Sequence, residues 1–132
     1  MSEFNLPIGE TFEKIFEVKP EHSAAFLDSG RVSVFSTPSM ILFMENTSRI
    51  FADKYLPNGY TTVGIKVCVE HLAAAPIGVK IRVTSKLVKQ ENKKLIFEVK
   101  AYWNEKLIGK GTHERFIINH ERFIKKLEEE LQ

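Results

Sequence analysis

The feature that most constrains the fold is the segment at residues 38–55, which contains the apolar run MILFM at residues 40–44. Pro38 suits the first turn of a helix, Thr37 before it suits the N-cap position, and the letters PNG at residues 57–59 end the pattern. Consecutive residues of a helix point to all of its sides, so this run predicts a helix that is apolar all round and buried. The rest of the chain has to supply a surface that wraps it.

Five segments have the alternation of β-strands, one before the predicted helix and four after it. They lie at residues 10–18, 61–72, 79–88, 95–103 and 107–118. Short connections between the last four predict antiparallel hairpins between consecutive strands. In the strand at 61–72 we expect one inner face, formed by Val63, Ile65, Val67 and Val69.

One strand, a buried helix and an antiparallel sheet together predict an α+β domain. A sheet curled around a single apolar helix is the arrangement of the hotdog fold. Two shorter helices are predicted at residues 20–27 and in the amphipathic C-terminal tail HERFIKKLEEELQ. A length of 132 residues predicts one domain over residues 1–132.

Composition excludes several classes of function. A net charge of +2 is too small for a dedicated nucleic-acid partner. Cys68 is the single cysteine, so no intrachain disulfide can form, and no cysteine or histidine spacing indicates a zinc site. The N-terminal letters MSEFNLPIGE lack a signal-peptide pattern, and no apolar run reaches the roughly 20 residues of a membrane span. We therefore expect a cytoplasmic protein without a membrane partner.

Three polar residues stand out against this apolar framework. Glu45 follows the apolar run directly; the simple explanation is an exposed ion pair with Arg49, one helical turn later. His71 continues the expected inner face of its strand, or is a histidine satisfied by a backbone carbonyl at the margin of the core. Thr37 is explained as a helix cap, which does not exclude a functional hydroxyl. Together the three form a possible hydrolytic constellation.

The last strand carries the letters GKGTHERF, residues 109–116. Its two glycines permit close approach of backbone or ligand. Alternation puts His113 and Arg115 on one face, where Arg115 could hold an anion such as a phosphate. The alternative for Arg115 is a surface salt bridge.

The segments GIKVCVEHLAAAPIG and IGKGTHERFII resemble the fluoroacetyl-CoA thioesterase-like branch of the hotdog thioesterases, in an element order that covers most of the chain. The spacing of a threonine eight residues before a glutamate belongs to the same pattern. The resemblance implies that Thr37, Glu45 and His71 are catalytic and that Gly64 and Arg115 contact the acyl-CoA. It also implies a homodimer with active sites at or near the subunit interface.

The implied reaction is hydrolysis of a short-chain acyl-CoA to the free acid and CoA. Glu45 could attack the thioester directly or act as general base for water. His71 could orient water or stabilise developing charge, and Thr37 could hydrogen-bond Glu45 or the carbonyl oxygen. No metal or other cofactor is expected, because coenzyme A enters as part of the substrate.

The region before Thr37 departs from the fluoroacetate-specific member, which carries a phenylalanine-rich lid there. This chain has the letters DSGR at residues 28–31 and keeps an aromatic nearer the threonine, at Phe35, which we expect to line the substrate site. A charged, glycine-containing lead-in is a poor apolar gate, which argues against fluoroacetyl specificity.

Helix geometry sets a condition on the proposed site. Eight helical residues rise by about 12 Å, so Thr37 and Glu45 of one chain cannot touch if the helix is regular. Either the first turn is irregular or the pairing crosses a dimer interface.

Two other functions fit the same residues. Hotdog folds also host hydratases and dehydratases of acyl thioesters, which use acid and base groups without net hydrolysis. A non-enzymatic, dimeric acyl-CoA-binding module would need Glu45, His71 and Thr37 only as ion pair, core histidine and cap.

Overall fold

A long helix, α1 (Thr37–Asp53), lies across one face of a five-stranded antiparallel sheet in the computed structural model, which describes residues 3–132. The remaining elements, in chain order, are β1 (Thr11–Glu17), β2 (Tyr60–His71), β3 (Lys80–Glu91), β4 (Lys94–Trp103), β5 (Lys106–Asn119) and α2 (His120–Glu130). The α+β hotdog architecture predicted from the sequence is confirmed.

The strand order is β1-β3-β4-β5-β2. The predicted hairpins between β3, β4 and β5 are confirmed, but the predicted hairpin between β2 and β3 is wrong. Strand β2 pairs with β5, and β3 pairs with β1. The connecting segment AAAPIG does not form a tight turn. It packs against the loop before α1, where Phe35 N donates a hydrogen bond to Ala75 O at 2.8 Å.

The core forms where α1 meets β3 and β4. The predicted alternation of both strands is confirmed, since their inward residues are fully buried: Ile81, Val83, Leu87, Leu95, Phe97, Val99 and Ala101. From α1, Met40, Phe43, Met44 and Phe51 fill the space above them. The rings of Phe16 and Phe43 stack with centroids 4.2 Å apart, which closes the core on the β1 side.

The prediction that α1 is buried on all sides is wrong for one stripe of the helix. Leu42 is 53% exposed. Glu45 and Arg49 follow it on the same side and are partly exposed. The sheet curls around α1 without closing over this stripe, so a carboxylate and a guanidinium can remain in contact with solvent.

Strand β2 contains a β-bulge that changes the expected side-chain alternation. The pairing with β5 shifts register between Gly64 and Lys66, so Ile65 has no partner opposite it. One extra residue reverses the side of the sheet on which each later side chain of the strand lies. Val63 and Ile65 therefore do not share a face with Val67, and that prediction is wrong. His71 lies opposite Gly109, whose absent side chain would contact Met40 of α1, so His71 does lie on the inner face.

The segment before α1 is less regular than predicted. The short helix expected at residues 20–27 is only a 3₁₀ turn, Pro20–His22, followed by turns. Asp28 has a left-handed φ of 56°, a conformation that stops helical propagation. At the other end of the chain α2 is a helix as predicted, and none of its residues is buried. Within residues 3–132, the helices are too short or too polar to traverse a bilayer.

Candidate active site

The first candidate pair, Thr37 and His71, lies at the N-terminus of α1. The predicted cap, Thr37, is wrong: the N-cap is Ser36, whose Oγ accepts a hydrogen bond from Ser39 N at 3.1 Å. The helix begins one residue earlier than predicted, so Thr37 is its first residue and its hydroxyl is not used for capping. That hydroxyl lies 2.8 Å from Nδ1 of His71, at the end of β2.

The imidazole of His71 is held in a largely apolar environment. Burial lowers its pKa below the usual value, against a weaker, opposing effect of the Ala73 backbone. The ring meets Phe35 edge-on, with centroids 5.9 Å apart. Nε2 is buried and has no hydrogen-bond partner among residues 3–132. His71 therefore offers a neutral imidazole with Nδ1 fixed by Thr37 and with Nε2 buried and unpaired.

A cleft of about 410 Å³ opens beside this pair. Its walls include Val34, Phe35, Thr37, His71 and Leu72. Phe35 lines the cleft and is almost fully buried.

The second candidate cluster surrounds Glu45. One carboxylate oxygen lies 3.8 Å from Nη1 of Arg115, and the Glu45 side chain is 40% exposed. The simpler explanation of Glu45, an ion pair with Arg49, is wrong, because Arg49 pairs with Asp53 at 2.9 Å. Glu45 thus faces a cation from the sheet, not one from its own helix.

Arg115 is buried in the sheet and held from two sides. Its Nε donates to Thr62 Oγ1 at 2.6 Å and its Nη2 donates to Thr62 O at 2.9 Å. Nη1 lies 3.1 Å from His113 Nε2. The alternative of a surface salt bridge is therefore wrong for Arg115. Burial lowers its pKa, with Glu45 acting in the opposite direction, and a guanidinium remains charged in proteins.

Gly64 lies directly beneath Glu45 and Arg115. A Cβ at this position would be 2.7 Å from Glu45 Oε2 and 3.3 Å from Arg115 Nη1. Any other side chain would therefore push the two charged groups from their present positions. A shallow pocket of about 240 Å³ opens here, lined by both charged groups together with Leu42, Asn46 and Arg49.

The two clusters are separate in one chain. Because α1 is continuous from Thr37 to Asp53, its first turn is regular, and Thr37 and Glu45 are about 12 Å apart along the helix axis. Of the two ways to join them, an irregular first turn is excluded.

Two residues of the second cluster were not predicted as site residues. The sequence placed His113 beside Arg115 but assigned it no role, although the alternation of GKGTHERF carried that signal. Thr62 gave no signal, because its position under Arg115 depends on the bulge in β2. No three histidine, cysteine, aspartate or glutamate side chains of the described chain, residues 3–132, cluster as a metal site would require.

Comparison with known proteins connects this geometry to a family. The family model described as "Fluoroacetyl-CoA-specific thioesterase" matches residues 18–121. A curated fluoroacetyl-CoA thioesterase from Streptantibioticus cattleyicolor is 34% identical over 122 residues, covering 88% of each chain.

Solved structures give the same result. A crystal structure of a variant of the fluoroacetyl-CoA-specific thioesterase FlK superposes with a TM-score of 0.89 at 32% identity, over 96% of this chain and 98% of that one. A thioesterase superfamily member from Thermus thermophilus superposes with a TM-score of 0.85 at 30% identity, over 96% of each chain. The chain therefore belongs to the fluoroacetyl-CoA-specific thioesterase family of hotdog proteins.

Proposed function

We propose that this acyl-CoA thioesterase hydrolyses a short-chain acyl-CoA with Glu45, His71 and Thr37 as its catalytic groups. Membership of the family supports the reaction. The observation that carries the assignment of residues is the pairing of Thr37 with His71 in an acyl-sized cleft, together with a carboxylate held beside a buried arginine.

The reaction needs a base or nucleophile and a means of stabilising the oxyanion. Glu45 takes a proton from water as the water oxygen bonds to the acyl carbon, or its carboxylate forms that bond first. The C–S bond then breaks, and the CoA sulfur leaves and is protonated. Nε2 of His71 is unpaired while Nδ1 is anchored to Thr37, so movement of the ring or its surroundings on substrate binding would let Nε2 orient water or donate to the developing oxyanion.

Label found in Glu45 after a single turnover in ¹⁸O-water would identify the carboxylate as the nucleophile. A general base directs the label into the released acid in the first turnover. A nucleophilic carboxylate instead receives the label itself when water attacks the anhydride at the enzyme carbonyl. Mass spectrometry of the peptide containing Glu45 reads out the difference.

The substrate we infer is a short-chain acyl-CoA without selection for fluoroacetyl. The cleft of about 410 Å³ suits a small acyl group, and Phe35 is buried in its wall. The preceding segment DSGR, residues 28–31, has the charged residues Asp28 and Arg31 where an apolar gate would be needed. Gly64 and Arg115 are proposed to contact the acyl-CoA, since the glycine leaves space and the guanidinium can bind an anionic group.

A homodimer joined along β2 would complete the site. The outer edge of β2 has no strand beside it in the described chain, and Ile65 on it is 51% exposed. Leu42, on the uncovered stripe of α1, adds apolar surface on the same side of the fold as Glu45. An edge-to-edge pairing of two β2 strands would cover this surface and bring Thr37 and His71 of one protomer toward Glu45 of its partner.

Thiol release from a panel of acetyl-, propionyl-, butyryl-, isobutyryl- and fluoroacetyl-CoA tests this proposal. We expect wild-type turnover of short-chain esters and a loss of about 10²–10⁴-fold in Glu45→Gln. The control is Glu13→Gln, which removes a surface carboxylate that pairs with Arg82 on the β1 edge. Unchanged release in Glu45→Gln would contradict the role of Glu45. Binding of CoA esters without thiol release would favour a binding module, and hydration of an enoyl-CoA would favour a hydratase.

A further inference from the structure

We propose that His113 is a positioning residue for the hydrolysis, because it fixes the guanidinium of Arg115 and thereby the group that faces Glu45. This inference rests on the proposed function. It adds a residue that does not line the cleft beside His71 and whose hydrogen bonds run to Lys66 and Arg115.

The hydrogen bonds of His113 determine which ring nitrogen carries the proton. Nδ1 lies 2.8 Å from the carbonyl oxygen of Lys66, which can only accept. Nε2 lies 3.1 Å from Arg115 Nη1, which can only donate. Both contacts are satisfied by one form of the ring, the neutral Nδ1–H tautomer. A protonated ring would direct an N–H group at the arginine.

The surroundings of His113 hold the ring in place. The side chain is 1% exposed, and its ring packs face-on against Phe97 of β4 with centroids 6.5 Å apart. The bulge in β2 interrupts the ladder beside it, and there the Lys66 carbonyl accepts from the side chain. The bulge in β2 therefore supplies the acceptor that fixes the orientation of the His113 ring.

Electrostatics favour the neutral ring. Burial lowers the pKa of His113, opposed by the Lys66 carbonyl, and the positive charge of Arg115 lowers it further. The carboxylates that act on the ring in the opposite direction are Glu45 of α1 and Glu114 of β5. The ring is therefore an acceptor for Arg115 at neutral pH.

The consequence for Arg115 is that all three of its nitrogens are held by fixed acceptors. Thr62 holds Nε and Nη2, and His113 holds Nη1. The Nη1 nitrogen that His113 holds is the one that lies 3.8 Å from Glu45. Without the histidine, Nη1 would lose this acceptor and the guanidinium would be held by Thr62 alone.

A double-mutant cycle on kcat/KM tests this role. We expect His113→Phe to lower kcat/KM by about tenfold, the effect of losing a hydrogen bond to a charged group. In an Arg115→Ala background the same change should have no further effect, because His113 acts only through Arg115. His113→Gln, whose amide oxygen can replace Nε2 as acceptor, should recover part of the activity. The control is Ser85→Ala, which removes a buried hydrogen bond to Ser48 far from Arg115.

The outcomes separate this inference from the proposed function. If wild-type protein hydrolyses acyl-CoA and the two losses multiply in the double variant, the positioning role is overturned and the thioesterase assignment stands. If wild-type protein releases no thiol, the proposed function fails, and the positioning role fails with it.

Nitrogen-15 NMR of the imidazole adds a readout that needs neither substrate nor a variant. Nδ1–H is expected for neutral His113. The Nε2–H tautomer would overturn the inference whatever the kinetics show, because that ring could not accept from Arg115.

Discussion

Gly64 is the residue at which the site is most sensitive to a small change. An added methyl group would lie 2.7 Å from Glu45 Oε2 and 3.3 Å from His113 Cε1. We expect Gly64→Ala to lower kcat/KM by about tenfold, since displaced catalytic groups lose optimal geometry. The free energy of unfolding should fall less than in a variant whose methyl group meets backbone, because the closest contacted atom, Glu45 Oε2, is the end of a partly exposed side chain.

Gly111→Ala is the matched comparison for this exchange. Its methyl group would meet the β2 backbone at Cys68 O and Val69 Cα, which cannot move aside as a side chain can. We expect that variant to lose about 1–3 kcal/mol of unfolding free energy in urea titrations. Wild-type activity in Gly64→Ala would show that Glu45 tolerates displacement.

The lowered pKa of His71 predicts how stability changes with pH. In the unfolded state the His71 side chain has its ordinary pKa, near 6.5. As the pH falls, His71 therefore binds a proton in the unfolded state before it does so in the folded state. The stability that the neutral His71 ring contributes is therefore fully present above pH 6.5. It declines as the pH falls from 6.5 to the lower pKa that His71 has in the folded state. Urea titrations between pH 5 and 7.5 should give a shallower decline for His71→Gln than for wild type. Equal slopes would contradict the buried, neutral ring.

At the scale of elements, α1 separates two roles that one residue would otherwise have shared. Ser36 caps the helix and Thr37 is left to bond His71. We expect Ser36→Ala to cost about 1 kcal/mol of unfolding free energy. Thr37→Ala should leave stability within about 0.5 kcal/mol of wild type, since the Thr37–His71 bond lies at the surface, and should reduce thiol release. Chemical denaturation and thiol-release assays on both variants check the assignment. A larger stability loss in Thr37→Ala than in Ser36→Ala would reverse it.

At the scale of the whole molecule, we expect a charge to have opposite effects on the two edge strands of the sheet. Ile65 on β2 and Ile15 on β1 are both exposed apolar residues of edge strands, at 51% and 59%. We expect Ile65→Asp to shift the protein to monomer and to abolish thiol release, because it places charge on the proposed interface. Ile15→Asp should do neither. Sedimentation velocity measures the assembly, and an active monomer of the Ile65 variant would contradict the shared site.

Mixing inactive variants tests whether each site draws residues from both subunits. Glu45→Gln and His71→Ala should each be inactive alone. In a shared-site dimer, random exchange of subunits regenerates one intact site in each heterodimer, for about a quarter of wild-type activity. Sites contained within one chain would remain inactive after mixing, and that result would contradict pairing across the interface.

The sequence by itself determined the pattern of elements, because side-chain periodicity is local. The apolar run at 40–44 predicted the central helix, and alternation predicted the strands β3 and β4 and the shared face of His113 and Arg115. The family was also visible in short motifs. These features depend on neighbours within a few positions, where the 3.6- and 2-residue periods leave little ambiguity.

Only the tertiary structure decided what each polar group contacts. The bulge in β2 reversed the expected face of Ile65, and no local pattern announces one extra residue in a strand. The placement of β2 beside β5 brought Thr62 under Arg115, over fifty positions away in the chain. In the structure Glu45 faces Arg115 and not Arg49, for the same reason. A partner on the opposing sheet is set by packing, whereas the sequence shows only the partner one helical turn away.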